Sequence, residues 1–193
     1  MRTVAEILGE SGGILTGHFL LSSGRHGDRY LQLAAPFQHP DLAAELASGL
    51  AGRVREAGLE PRVVLGPALG AIVPGFALAQ ALGVRFVFCE REDGRFALRR
   101  GFALTAAEPV LVVENTLSTG GSALEAISLV REAGAAVAGV AVYCERIPEH
   151  RGVFDVPYVS LERFEIPNWA PEDCPLCQAG APAPIKPGSR PPR

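Results

Sequence analysis

The residues best equipped for chemistry gather in the stretch 110–125, Val-Leu-Val-Val-Glu-Asn-Thr-Leu-Ser-Thr-Gly-Gly-Ser-Ala-Leu-Glu. Ser118-Thr119-Gly120-Gly121-Ser122 is dense in hydroxyls and glycine. Glycines let backbone N–H groups approach an anion, and hydroxyls add further donors. An apolar run, Val110 to Val113, precedes the loop, and from Ala123 the spacing of Leu124, Ile127, Leu129 and Val130 fits a helix. The loop is therefore placed where a helix N-terminus lends partial positive charge to a bound phosphate. It is not a Walker A loop, because Gly-x-x-x-x-Gly-Lys-Ser/Thr is absent and the loop has no lysine. Glu114, at the end of the apolar run, can accept hydrogen bonds from sugar hydroxyls while the loop holds a phosphate nearby. The combination implies a site for a ribose 5-phosphate; the plain alternative is an ordinary strand-to-helix turn.

Other segments offer partners for that chemistry. Gly66-Pro-Ala-Leu-Gly-Ala71 repeats the order strand, small-residue loop, apolar helix, and its amides could hold a second phosphate group. Residues 90–101, Glu-Arg-Glu-Asp-Gly-Arg-Phe-Ala-Leu-Arg-Arg-Gly, carry four arginines, with glycines at 94 and 101. They read either as a mobile lid that clamps a pyrophosphate or as a solvated hairpin in which acids balance bases. Arg25, His26 and Arg29 sit near a turn, either as a solvated tip or as a hood over a ligand. Cys174-Pro-Leu-Cys177 has the spacing of half a zinc site, but no second close pair of Cys or His accompanies it, so it reads as two structural thiols.

The elements that must position these groups alternate. A helix is expected within 3–15, ended by Ser11-Gly12-Gly13. A hairpin follows, with strands at Phe19–Leu21 and Tyr30–Leu33 around a turn from Ser22 to Asp28. Asp41 should cap a helix over 41–58, with Leu42, Leu46, Leu50 and Val54 as its apolar stripe. Short buried strands are expected at 62–66, 84–89, 110–113 and 138–144, and a last one within 158–165; helices are expected at 72–82 and 123–133. This order implies an α/β fold, a parallel open sheet flanked by helices, with ligands at the strand C-termini where Gly66, Glu90, Glu114 and Arg146 fall. Beyond Ile166, Pro and Gly dominate. The chain is read as one domain, 1–180, with a hood at 14–36 and a lid at 90–101, followed by a Pro/Gly-rich tail at 181–193.

Bulk properties agree with a globular enzyme-sized domain. The chain has 193 residues, 48% hydrophobic and 20% charged. No apolar run is long enough for a membrane span, and acids near the start interrupt any signal-peptide core, so a cytoplasmic protein is expected. A net charge of −3 gives no global attraction to nucleic acid.

Taken together, these motifs resemble the type I phosphoribosyltransferases. In that family four apolar residues, two acids, two mostly apolar residues and a Thr-Thr/Ala-Gly-x-Ser/Thr loop bind phosphoribosyl pyrophosphate (PRPP). Gly17-His-Phe-x-Leu-x-Ser-Gly-Arg-His, Gly66-Pro-Ala-x-Gly-Ala71, Leu-Arg-Arg-Gly-Phe, Cys-Pro-Leu-Cys and Lys-Pro-Gly-Ser-Arg are similar to the branch that acts on orotate. The resemblance implies the type I fold with a small hood hairpin, magnesium as cofactor, transfer of ribose 5-phosphate to orotate in pyrimidine synthesis, and a homodimer whose lid reaches the partner's site. It implies that Glu114, Asn115, Thr116, Leu117, Ser118, Thr119, Gly120, Gly121 and Ser122 bind PRPP, with no metal bound directly by protein alone. It further implies that Ser118 and Arg146 meet orotate, that Gly66, Pro67, Ala68, Leu69 and Gly70 line the pyrophosphate, and that Arg91 and Arg95, with Glu114, serve catalysis.

Three departures stand out. The lid is short and holds arginines without lysine or histidine, Leu33 stands close to where relatives carry a lysine, and Asn115 replaces the second acid. These favour, as an alternative, a PRPP-binding regulator or inactive homologue, although no basic face or added nucleic-acid-binding segment supports one. A purine phosphoribosyltransferase is the weaker alternative, since a neutral purine needs no cation at Arg146.

Overall fold

The computed structural model describes residues 2–21, 23–146 and 153–187. The strands are β1 (Ile14–Leu20), β2 (His26–Leu31), β3 (Val63–Pro67), β4 (Arg85–Glu92), β5 (Arg95–Leu98), β6 (Val110–Leu117), β7 (Val137–Glu145), β8 (Tyr158–Arg163) and β9 (Asn168–Trp169). The helices are α1 (Val4–Glu10), α2 (Ala34–Phe37), α3 (Pro40–Glu56), α4 (Ile72–Leu82), α5 (Gly121–Glu132) and α6 (Pro175–Gln178).

A six-stranded sheet runs in the order β5-β4-β3-β6-β7-β8, parallel except for β5 at its edge. All-apolar strands are what such a sheet requires, because helices cover both faces. Val63–Leu65, Val110–Val113 and Val140–Val142 are fully buried. On one face α3 and α4 pack with α1 and α2 around Leu46, Leu50, Leu78 and Tyr143. On the other, α5 packs Ala126, Ile127 and Val130 against Val112, Val140 and Val142. From β3 the chain winds outward to β4; from β6 it winds the opposite way to β7 and β8. The junction of β3 and β6 is thus the point where ligands bind in open α/β sheets.

A second sheet, in the order β1-β2-β9, forms the hood. The hairpin was expected, but β2 begins at His26 rather than Tyr30, and β9 completes the sheet from a segment read as irregular. Two further differences have local causes. Helix α3 starts at Pro40, with His39 at its N-cap, so Asp41 lies in the first turn and is not the cap. Proline takes that first helical position because its missing N–H would be unpaired there anyway. The segment read as a tail from residue 181 is built in at its start, where Ile185 exchanges backbone hydrogen bonds with the hood, its N–H to His18 O at 2.9 Å and its O from Leu20 N–H at 2.8 Å. Residues 188–193, the rest of that tail, and Ser22 of the hairpin turn lie outside the described residues.

Candidate active site

The sequence set the apolar strand at Val110–Val113, with Glu114 and Asn115 at its end and the loop at Ser118–Ser122; β6 in fact continues to Leu117 by pairing Thr116 with Cys144 and Leu117 with Glu145. Glu114, Asn115, Thr116 and Leu117 are therefore rigid strand positions at the sheet rim, followed by a turn at Ser118–Gly120. Gly120 adopts φ +78°, a left-handed conformation at the N-cap of α5, and a Cβ there would lie 3.2 Å from Val153 Cγ1. Gly121 and Ser122 lie in the first turn of α5. Their N–H groups belong to the set that no helix can satisfy internally, which suits this end to an anionic ligand.

Glu114 is 9% exposed, and its Oε1 has no hydrogen-bond partner among the described residues. Burial pushes its carboxyl up to about 8. Such an acid is costly unless a ligand supplies donors or positive charge. Asn115 accepts the Thr116 N–H on its own Oδ1 at 2.7 Å. Its Nδ2 is turned toward the turn after β3, where a Cβ on Gly70 would come within 2.9 Å of it. In that turn a Cβ on Gly66 would collide with the Ala71 carbonyl, so the backbone closes tightly on itself before α4 begins. Gly66 and Pro67 end β3, and Ala68, Leu69 and Gly70 form the turn. The two loops thus meet across the junction of β3 and β6.

Two clefts open at this rim. One is lined by Ser118, Thr119 and Arg146 together with Leu21, Ser23 and Arg25 of the hood and Ile166 and Asn168. Arg146 follows β7 directly and donates its backbone N–H to Leu117 O at 3.0 Å. Its Nε is buried without a partner among the described residues, and burial lowers the guanidinium pKa. The other cleft, about 700 Å³, is lined by Tyr30, Gln32, Leu69, Gly70 and Asn115, among others. Tyr30 lines this cleft and Arg25 the other, so the hood spans both. Arg25 braces the hood by donating from Nε to Asn168 Oδ1 and from Nη2 to Asn168 O at 3.0 Å.

The sequence missed Asn168, Ile166 and Tyr30. A two-residue strand in a proline-flanked segment carries no periodicity, and only chain reversal brings Asn168 to Arg25. Leu33, by contrast, is 2% exposed in the core and presents nothing to either cleft.

The arginine-rich segment forms a hairpin, β4 and β5, one of the two forms the sequence allowed. Its arginines are all ion-paired. Arg91 meets Glu125 of α5 at 2.7 Å and stacks over Phe96, Arg95 meets Glu132 at 3.6 Å, Arg99 meets Glu92 at 3.1 Å, and Arg100 meets Glu90 at 3.1 Å. Glu125 is held below the ordinary carboxylate range: burial works against this, but Arg91 and the Phe96 N–H outweigh it. Within one chain, Arg91 and Arg95 are therefore docked on α5 and not gathered with Glu114 and Arg146.

Ser118 and Thr119, just before α5, share a narrow cleft with the desolvated Arg146, and Glu114 lies buried in β6 four residues before Ser118. The phosphoribosyl transferase domain family matches residues 36–176. An orotate phosphoribosyltransferase of Pelotomaculum thermopropionicum is 46% identical over 97% of this chain and 96% of its own length. One from Heliobacterium modesticaldum is 44% identical over 97% of each. Among solved structures, the orotate phosphoribosyltransferase of Mycobacterium tuberculosis H37Rv, in complex with inorganic phosphate, superimposes with a TM-score of 0.66 at 26% identity, covering 82% of this chain and 94% of that one. With residues 36–176 matched by the family and curated relatives above 40% identity over nearly the whole chain, this chain belongs to the phosphoribosyl transferase domain family.

Proposed function

We propose that this protein transfers the ribose 5-phosphate group of PRPP to orotate, giving orotidine 5′-monophosphate and pyrophosphate in the de novo synthesis of UMP. The observation that carries the reading is a pair of unsatisfied buried groups at the ends of adjacent paired strands, Glu114 Oε1 in β6 and Arg146 Nε just after β7, with Ser118 and Thr119 lining a cleft beside Arg146. Each is expensive as it stands, and the two together match a ligand with sugar hydroxyls next to an anionic ring.

In this reading the N–H groups at the start of α5 and the hydroxyls of Ser118, Thr119 and Ser122 hold the 5′-phosphate. Glu114 accepts from the ribose hydroxyls, and the turn from Gly66 to Gly70 lines the pyrophosphate. Arg146 and Ser118 hold orotate, while Arg25 and Asn168 close the cleft from the hood side. During transfer the bond from the anomeric carbon to pyrophosphate breaks, its electron pair leaving with pyrophosphate; a ring nitrogen of orotate bonds in its place, and the proton that nitrogen carried passes to the departing pyrophosphate or to water. Catalysis is then chiefly positioning and charge stabilisation in a site that excludes water.

Magnesium fits as a passenger of PRPP. Glu114 would offer one hard oxygen ligand, and Asn115 has committed its amide oxygen to Thr116 N–H, so a magnesium ion would be held chiefly by the substrate rather than by protein. When bound, it would supply positive charge toward the pyrophosphate.

A homodimer completes the proposal. The groove between α3 and α4 exposes Val73 and Phe76, 51% and 59% accessible, beside Leu69 at 77%. A second copy of the chain would cover this face, and a lid that moves off its own α5 could bring Arg91 and Arg95 to the partner's site. No helix among the described residues is long and apolar enough to cross a membrane; a cytoplasmic location suits the reaction. The test is loss of orotate absorbance on mixing protein, magnesium, PRPP and orotate. Tight PRPP binding without that loss would leave a regulator in place of the enzyme.

A further inference from the structure

On the hood, away from both clefts, four side chains converge that the reaction does not use. His18 lies where β1 slips register against β2, between Thr16 and Phe19, and His26 opens β2. Cys174 precedes α6, and Cys177 follows within its single turn, so their spacing puts both sulfurs on one side. His18 Nε2 lies 3.0 Å from His26 Nδ1, 3.5 Å from Cys174 Sγ and 3.6 Å from Cys177 Sγ, and Cys177 Sγ lies 3.3 Å from His26 Nδ1. All four donor atoms fall within 4.8 Å of one another.

Four of the six separations, 3.0–3.6 Å, are close to the edges of a coordination tetrahedron, and the other two are no longer than 4.8 Å. With metal–nitrogen and metal–sulfur bonds of about 2.0 and 2.3 Å, tetrahedral geometry requires edges of roughly 3.3–3.8 Å. The pair closest together, at 3.0 Å, needs to open by only a few tenths of an ångström. His18 Nδ1 also contacts Pro182 O at 2.8 Å, and a carbonyl can only accept. The proton is therefore on Nδ1, which leaves the Nε2 lone pair aimed into the cluster, as in histidines that bind metals. Cys174 is fully buried and His26 is 7% exposed, while Cys177 is exposed and leaves a route of entry. Two soft sulfurs and two imidazoles, closed on all sides by protein ligands, select zinc for structure rather than catalysis.

We propose that His18, His26, Cys174 and Cys177 bind a structural zinc ion that fastens the C-terminal segment to the hood. Binding displaces the two thiol protons to solvent and uses both imidazole lone pairs. Cys-Pro-Leu-Cys is half of the site, as its spacing suggests; the other half is the histidine pair, brought in from more than 140 residues earlier in the chain.

The experiment is metal analysis of the untagged full-length chain, purified under reducing conditions and incubated with zinc. About one zinc per chain is expected, falling below about a tenth in Cys177→Ser, an exposed position where serine leaves the fold intact by circular dichroism. Cobalt in place of zinc should give a tetrahedral visible spectrum and a thiolate charge-transfer band, both lost in Cys177→Ser. A strong chelator should lower the melting temperature of the parent and leave that of the variant unmoved. Failure to take up stoichiometric zinc, a cobalt spectrum without the thiolate band, uptake unchanged in Cys177→Ser, or a Cys174–Cys177 disulfide that survives excess reductant would each overturn the assignment. None of these readouts depends on orotate turnover.

Discussion

Glu114 holds a proton until a ligand arrives. Its carboxyl sits at about 8 in the fold against an ordinary 4.5, so near pH 7 it is mostly neutral. Sugar hydroxyls and a magnesium-bearing substrate favour the charged form, so binding PRPP should release a fraction of a proton. Calorimetry of PRPP binding in buffers of different ionisation enthalpy would detect it, and the buffer dependence should shrink in Glu114→Gln. The same shift fixes the sign of a stability effect. The unfolded chain loses this proton near 4.5 and the fold keeps it until about 8, so stability is complete below the lower value and declines across that window. Thermal melts of Glu114→Gln should be flatter between those values and more stable near pH 8, by roughly 1–3 kcal/mol, while turnover falls at least tenfold. A variant that tracks the parent's pH dependence would remove Glu114 from this role. Asn115 belongs to the same scale: its oxygen accepts from Thr116 N–H, and its side chain packs close beside Gly70 in the turn after β3. Asn115→Asp should raise affinity for the magnesium complex of PRPP, while a kcat that does not change would show these contacts to matter more than the missing charge.

Among the elements, the lid and the start of α4 carry the sharpest expectations. The Arg91–Glu125 pair and the Phe96 N–H bond to Glu125 pin β5 on α5. Glu125→Ala should release the hairpin, seen as faster amide exchange in Arg95–Leu98, with only about 0.5–1 kcal/mol lost from global stability because the pair is largely solvated. Tyr143, buried under α4, donates to Pro74 O at 2.8 Å and holds the helix that follows the Gly66–Gly70 turn. Tyr143→Phe should cost about 1 kcal/mol in denaturant melts and loosen pyrophosphate binding.

The elements also show what a reader of the chain could and could not see. Doubly buried β3, β6 and β7 announce themselves as valine-rich runs, and α4 follows its apolar spacing. The continuation of β6 through Glu114–Leu117 was hidden because backbone pairing at a sheet rim places no demand on side-chain polarity. Arg146 was legible from its position after a buried strand. Asn168 and the His18–His26 partners of Cys174 and Cys177 were not, since nothing local marks contacts between residues more than 140 positions apart.

For the whole molecule, the α3–α4 groove predicts a dimer by light scattering, and Phe76→Glu should shift it to monomer with loss of turnover if lids are exchanged between copies. The hood has a further consequence. Its hairpin lies within the first 31 residues, yet β9, α6 and Ile185, which brace it, are among the last described. During synthesis the phosphate loops of the central sheet can form while the chain is still on the ribosome. The roof over Arg146 must wait for the final stretch to emerge. A chain released early, ending near Arg163, would carry the rim loops of the central sheet without β9, α6 and Ile185 to brace the hood beside Arg146.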